Sequence, residues 1–238
     1  MIGMNSLHSV QASQERHPSI SFTVTTCRRL DLFMKTMDSF YGKCLDHDLL
    51  TEFVCSDDSS SDRDRDIMER RFPHFRFLWN SNTGHAQSLS RLISEVTTDY
   101  FLHYEDDWFL LEPGCHISNA LDILKANSSI RSVSLNWIRG RHRISPSGVG
   151  FCLHRYLSDA KTLDRKFGMP AWPGFTLNPS IHETRAVRAT GPYPIRPFHE
   201  WCFSYAFLKR GFRTAFMDRK IIQHCGKVSA YEINGTSR

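Results

Sequence analysis

TTDYFLHYEDDWFLLEP, residues 97–113, climbs through Tyr100, Phe101 and Leu102, breaks into Glu105, Asp106 and Asp107, then returns to Trp108, Phe109, Leu110 and Leu111. Three adjacent carboxylates repel one another and resist burial, so a fold keeps them beside a core only with a counter-charge or open water. The run DYFLHY (99–104) reads as a strand, which sets the acidic triplet at its carboxyl end. A second strand, TEFVCS (51–56), breaks off into Asp57-Asp58-Ser59-Ser60 in the same way. In open α/β sheets the carboxyl ends of the strands line one edge and ligands bind in the crevice there. The two acidic clusters are therefore expected to face one cleft.

Working outward, Pro18 closes a polar opening segment and ISFTVTT (20–26) is a buried strand. Leu30, Phe33, Met34, Met37, Phe40 and Tyr41 then recur at helical spacing. FRFLWN (75–80) is a short strand, and Gly84 opens a helix with Leu89, Leu92, Ile93 and Val96 on one face. Ile117, Ala120, Leu121 and Leu124 mark a further helix before the strand RSVSLNW (131–137). This alternation predicts an α/β fold with a mainly parallel central sheet flanked by helices. From Ile138 to Gly174 the pattern dissolves into basic, Gly/Pro-bearing sequence with a weakly helical middle. FTLNPSIHE (175–183) reads as a strand, Trp201, Tyr205 and Leu208 as one helical face, and RTAFMDRKIIQHCG (213–226) as one or two strands. The expected organisation is a flexible tail, residues 1–18, and one domain, residues 19–238, regular to 137 and irregular from 138.

With 238 residues, 40% of them hydrophobic, the chain can bury a substantial core. Its net charge of +5 suits an anionic ligand such as a nucleotide but is too small and dispersed for a nucleic-acid binder. Seven widely spaced cysteines with no CxxC pair favour a reducing compartment. There is no apolar run of the roughly 20 residues that span a bilayer, and the opening lacks a signal-peptide core. The expectation is a soluble, cytoplasmic protein.

Carboxylates gathered at strand ends suit a hard divalent cation, Mn²⁺ or Mg²⁺, bound through one or two carboxylates plus ligand phosphates. A strand ending in DDSS, followed about fifty residues later by a strand ending in Glu105-Asp106-Asp107, resembles the GT-A fold glycosyltransferases of the family 2 type. The second acidic motif of that family is D-x-D, which here reads E-x-D, and the resemblance runs from about Ile20 to Gly226.

The resemblance implies an inverting, metal-dependent transferase moving a hexosyl or deoxyhexosyl group from a nucleotide-diphosphate sugar, UDP favoured, to a hydroxyl of a glycan or other acceptor. It implies that Thr25, Thr26 and Arg28 lie by the nucleotide and that Asp57 and Asp58 hold its base or ribose. Asn80, Asn82 and Gly84 match the nucleotide-contacting loop. Glu105 and Asp106 complete the donor side, and Asp107 coordinates the metal, with His224 as a further ligand. His199-Glu200 looks like the acidic pair beside the acceptor, with Glu200 as catalytic base. Residues 19–137 would then be the donor-binding half and 138–238 the acceptor side.

Other signals are weaker. IRGRHR (138–143) could be a mobile loop closing on the diphosphate or gripping an anionic acceptor, or simply a solvated basic loop. Trp172 could stack on an acceptor sugar or plug the core. SDRDRD (61–66) superficially resembles a calcium loop, but Ile67 and Pro73 stand where glycine and glutamate are needed, so it reads as a charged helix start. The rival functions are a nucleotidyltransferase, a metal-dependent nuclease and a non-catalytic nucleotide-sugar-binding module. TTCRRLD lacks the glycine-rich phosphate loop of the first, and the charge is too low for the second's groove.

Overall fold

Ile20, Phe22 and Val24 alternate with Ser21, Thr23 and Thr25 along β1 (Ile20–Thr26), and every residue of the strand is buried. Such a strand needs a covered sheet on both sides. The computed structural model, which describes residues 17–138, 140–154 and 172–226, supplies it. After β1 come α1 (Leu30–Lys43), β2 (Glu52–Asp58), α2 (Asp62–Arg71), β3 (Arg76–Asn80), α3 (His85–Glu95), β4 (Tyr100–Glu105) and β5 (Trp108–Leu110). There follow α4 (His116–Ala126), β6 (Ile130–Trp137), β7 (Gly140–Ile144), β8 (Gly150–His154), β9 (Ser180–Glu183), α5 (Thr184–Thr190), α6 (His199–Lys209), β10 (Arg213–Met217) and β11 (Ile222–His224).

The main sheet has nine strands in the order β3-β2-β1-β4-β9-β6-β10-β8-β7. β3, β2, β1 and β4 are parallel. β9 runs antiparallel between β4 and β6, and β10 is parallel to β6. The chain lays β2 and β3 on one side of β1 and β4 on the other, so the order reverses between β1 and β4, and the carboxyl ends at such a reversal are where open α/β sheets take their ligands.

Phe33, Met37 and Phe40 of α1 are buried beside Phe22, whose ring stacks on Phe40 at 4.4 Å. Leu89 of α3 and Phe203 and Phe207 of α6 form a second cluster with Phe101 and Phe175. Asp31 in the first turn of α1 and Lys43 in its last complement the helix dipole. Ser61 caps α2, its side chain accepting from the Asp64 N–H at 3.2 Å, so SDRDRD does start a helix. Among the described residues no helix is long and apolar enough to cross a membrane.

Two expectations change. The strand expected over 175–183 begins only at Ser180, because Pro179 has no N–H to add to a ladder. The basic segment is not a loop over the crevice: residues 140–144 are β7, the edge strand farthest from β1, paired with β8 through a turn at Gly148, φ +82°. An element with no counterpart in the sequence reading is β5, the apolar return after the triplet, which pairs antiparallel with β11 in a separate ribbon and sets His224 opposite Trp108. The opening segment to residue 16, Arg139 and the weakly helical stretch over 155–171 lie outside the described residues.

One face of the sheet carries a buried polar row. Thr23, His103 and Ser180 lie side by side on β1, β4 and β9, and His182 faces Ser132 of β6. His103 Nδ1 meets Thr23 Oγ1 at 3.0 Å, but its Nε2 and both nitrogens of His182 are buried without partners. His182 instead lies between the rings of Phe101, 4.8 Å away, and Phe175, 4.9 Å. Burial holds His103 down to about 3 and His182 well below the ordinary imidazole range. Both stay neutral in the fold while the unfolded chain protonates them below about 6.5, so stability is present above that pH and lost as pH falls. Each contributes a slope of about 1.4 kcal/mol per pH unit there. Denaturant unfolding at pH 7 and pH 5.5 should show a smaller acid loss for His182→Phe than for wild type. Equal losses would remove His182 from this role.

Candidate functional site

The registers bring the sequence's acidic clusters to one rim. Thr25 pairs with Glu105, Thr26 with Asp57, and Asp58 with Asn80, so the ends of β4, β1, β2 and β3 form a continuous edge. The chain leaving β4 stays fastened to it, with the Asp106 N–H donating to Thr25 O at 3.1 Å.

The triplet then divides its three carboxylates. Asp106 turns inward and is wholly buried. It accepts from Thr26 Oγ1 at 2.8 Å, the Cys27 N–H at 3.4 Å, and Arg29 through Nε at 3.2 Å and through Nη2. Burial pushes this carboxyl up to about 7 against the pull of Arg29. Asp107 uses one oxygen in the same clamp: Oδ2 accepts from Arg29 Nη1 at 2.8 Å and lies 3.3 Å from His224 Nε2. Its other oxygen, Oδ1, is buried and has no hydrogen-bond partner. The Cys225 N–H donates to Asp107 O at 2.8 Å, which locks the end of β11 to the triplet. A Cβ on Gly226 would run into Asp107 Oδ2, so a larger residue there would push that carboxylate out of place.

These residues fit a divalent cation. The orphaned Oδ1 of Asp107 is a hard carboxylate donor of the kind Mn²⁺ and Mg²⁺ take, and His224 stands on the other side of the same carboxylate, 3.3 Å from Oδ2. Among the described residues no group of three His, Cys, Asp or Glu stands ready to enclose a metal.

On the other side of the crevice the carboxylates brace loops. Asp57 is wholly buried and accepts from the Ser60 N–H at 3.0 Å and Ser60 Oγ at 2.5 Å, with Arg65 Nε 3.6 Å away. Asp58 accepts from the Thr83 N–H at 2.9 Å and the Gly84 N–H at 2.8 Å, which fixes the turn where Asn82 and Gly84 have φ of +56° and +86°. Arg28, at φ +55°, reaches across to donate from Nε to Ser59 O at 3.0 Å. Asn80 Nδ2 donates to Ser56 Oγ at 2.9 Å, and its Oδ1 accepts from Arg91 Nη1 at 2.6 Å. Asp57, Asp106 and Asn80 thus spend their polar atoms within the protein.

The start of α6 closes the crevice. Phe198, exposed and at φ +56°, precedes His199 and Glu200. Glu200 lies in the helix's first turn and accepts from the Leu177 N–H at 3.0 Å. Burial raises its pKa, outweighing this bond and one from Thr176. His199 Nδ1 meets Tyr193 Oη at 2.8 Å, and its ring lies 5.3 Å from that of His85. His85 Nε2 is 3.2 Å from Glu105 Oε1, and Trp108 Nε1 donates to Glu105 Oε2 at 3.1 Å. Burial opposes ionisation of Glu105, but His85 and these bonds bring it down to about 2. Trp172 donates from Nε1 to Phe175 O at 2.9 Å and packs its ring against Phe216. Sequence reasoning missed Arg29 and His85. The only sign of the first was a second arginine after β1, and of the second an imidazole just past Gly84.

Residues 21–129, a little under half the chain, match the family model described as glycosyl transferase family 2. No curated protein matches the chain significantly in sequence. Solved structures do match in fold. The mannosyltransferase PcManGT from Pyrobaculum calidifontis, in complex with GDP-Man and Mn²⁺, superposes with a TM-score of 0.58 at 17% identity, covering 84% of this chain and 55% of that one. S. aureus TarS in complex with UDP-GlcNAc gives 0.64 at 12% identity, covering 92% and 62%. GalNAc-T7 with UDP, GalNAc and Mn²⁺ gives 0.64 at 12%, covering 94% and 46%. At such identities the likeness is one of fold, and the architecture is the GT-A fold that the acidic motifs suggested. The chain spans between about half and three fifths of the length of these structures.

Asp58→Ala leaves the Thr83 and Gly84 amides without their acceptor, and hydrogen bonds to a charged group contribute about 1.5–3 kcal/mol each. Hydrogen exchange should show both amides losing protection while those within β1 keep theirs. Unchanged protection at Thr83 and Gly84 would mean that Asp58 does not hold the loop.

Proposed function

We propose that this chain, with its family 2 segment and GT-A fold, is an inverting glycosyltransferase acting on a nucleotide-diphosphate sugar, with UDP as the nucleotide and a hydroxyl of a glycan or other acceptor as nucleophile. One observation carries the reading: Asp107 keeps a buried oxygen without a partner at the rim that Asp58 and Glu105 share. A cation and a diphosphate supply what that oxygen lacks. Asp107 and His224 would hold Mn²⁺ or Mg²⁺, which when bound supplies Lewis-acid charge to a departing diphosphate. That two of the similar structures hold Mn²⁺ with GDP-Man or UDP supports the same assignment.

The chain's own groups do the rest. Thr25, Thr26 and Arg28 border the donor crevice, and the loop braced by Asp58 forms its far wall. Glu105, held ionised by His85 and Trp108, is an acceptor for a ribose hydroxyl. Glu200 takes the proton of the attacking hydroxyl. Its raised pKa makes it a stronger base than an ordinary glutamate, and its place at a helix start, on the α6 side, separates it from the leaving group. One base and one direct displacement invert the anomeric centre. Phe198 and His199, beside Glu200, border the acceptor side. The seven cysteines, none of them in a disulfide, suit a reducing compartment such as the cytoplasm.

Calorimetry should show UDP binding that strengthens with Mn²⁺ in wild type and loses that metal dependence in Asp107→Ala. A nucleotide-sugar panel then identifies the donor by metal-dependent turnover. Glu200→Gln should keep UDP binding and lose roughly 10²–10⁴-fold in turnover, the usual contribution of a general base. The acid limb of kcat against pH should lie above the ordinary glutamate value of about 4.3, since Glu200 must be deprotonated to act. UDP binding indifferent to metal, or a Glu200→Gln protein as fast as wild type, would refute the reading.

A further inference from the structure

Arg29 is the N-cap of α1, yet its side chain makes no cap bond and leaves the helix for the triplet. Its guanidinium is largely buried and forks: Nε and Nη2 go to Asp106, Nη1 to Asp107 Oδ2. Two consequences follow. Asp106 is neutralised inside the protein, so it anchors the fork. Asp107 is then held by one oxygen at 2.8 Å, with Gly226 closing the space behind that same oxygen. Only Oδ1 is left for anything else. We propose that Arg29 is the positioning residue of the metal site: it fixes the rotamer of Asp107 through Oδ2 so that Oδ1 alone is offered to the divalent cation. This deepens, and rests on, the metal-dependent reading above.

The proposal predicts an effect opposite in sign to simple electrostatics. Removing a positive charge beside a metal carboxylate should tighten cation binding by Coulomb's law. Losing a group that orients a ligand weakens it, by roughly ten- to hundredfold. Mn²⁺ is titrated in the presence of UDP, with the free ion followed by electron paramagnetic resonance, for wild type, Arg29→Gln and Arg29→Lys. Arg29→Gln should bind Mn²⁺ roughly ten- to hundredfold more weakly. Arg29→Lys, which keeps the charge but not the fork, should also be weaker. Because Arg29→Gln strands the buried charge of Asp106, the double variant Arg29→Gln with Asp106→Asn is titrated alongside and should show the same weakening. Thermal unfolding accompanies each titration, since a merely structural role would lower the melting temperature and leave the Mn²⁺ affinity of the folded protein unchanged. Equal or tighter Mn²⁺ binding in a folded variant, with wild type binding normally, overturns the role of Arg29 and leaves the transferase reading intact. If wild type itself binds no Mn²⁺ with UDP, the metal-dependent reading falls and this proposal with it.

Discussion

Two carboxylates on consecutive residues, 106 and 107, are buried at the end of one strand, and one guanidinium serves both. The whole crevice depends on this arrangement. An unpaired charge at Asp106 would cost several kcal/mol, since leaving one partner of a buried pair alone typically costs about 3–5. The fork from Arg29 offsets part of that penalty and in doing so ties the start of α1 to the end of β4. Thr26 and Cys27 join from the other side, so the β1–α1 connection is packed down onto the triplet. Without that fork the strand ends would still be adjacent, and Asp57, Asp58 and Glu105 would keep their own partners, but Asp107 would lose the donor that holds its Oδ2.

The ribbon of β5 and β11 extends the same logic. It brings a segment over a hundred residues downstream back against Asp107, through the Cys225 N–H and the closely fitted Gly226. His224 arrives with it, its ring 5.0 Å from that of Trp108. The apolar residues after the triplet are therefore both core and scaffold. Trp108 is buried, hydrogen-bonds Glu105 and packs against His224.

How much of this was legible in the chain follows from the range of the interactions. β1, β2, β3 and β4 with their helices announce themselves by local alternation and periodicity, and the acidic breaks at 57–58 and 105–107 need only a polar run after a strand. The β7–β8 hairpin is hidden because GRHR (140–143) has no apolar residue to alternate with and edge strands need no apolar face. β5 is hidden because three residues, Trp108–Leu110, are too few for any period to appear. The partners of the carboxylates are hidden for a different reason. Arg28 and Arg29 are neighbours of one type, and only the left-handed backbone at Arg28 decides which faces the turn at Ser59 and which the triplet. Likewise His85 looks like any polar helix start until the register of β4 puts Glu105 beside it.

The crevice also separates two glutamates that the sequence leaves equivalent. Both are half-buried, and burial alone would raise both. Glu105 meets His85 at 3.2 Å and the indole of Trp108 at 3.1 Å, and these hold it ionised down to about 2. Glu200 has a backbone amide and a threonine hydroxyl, neither of them charged, and burial prevails. Neighbouring carboxylates driven in opposite directions are how one cleft assigns different tasks to the same chemical group. A permanently ionised glutamate is a poor base but a steady acceptor of hydroxyl protons from a bound sugar or ribose. One with a raised pKa gains most by taking a proton. His85 stands between the two, bonded to the first and within electrostatic reach of the second, so the separation depends on the imidazole staying on the side of Glu105.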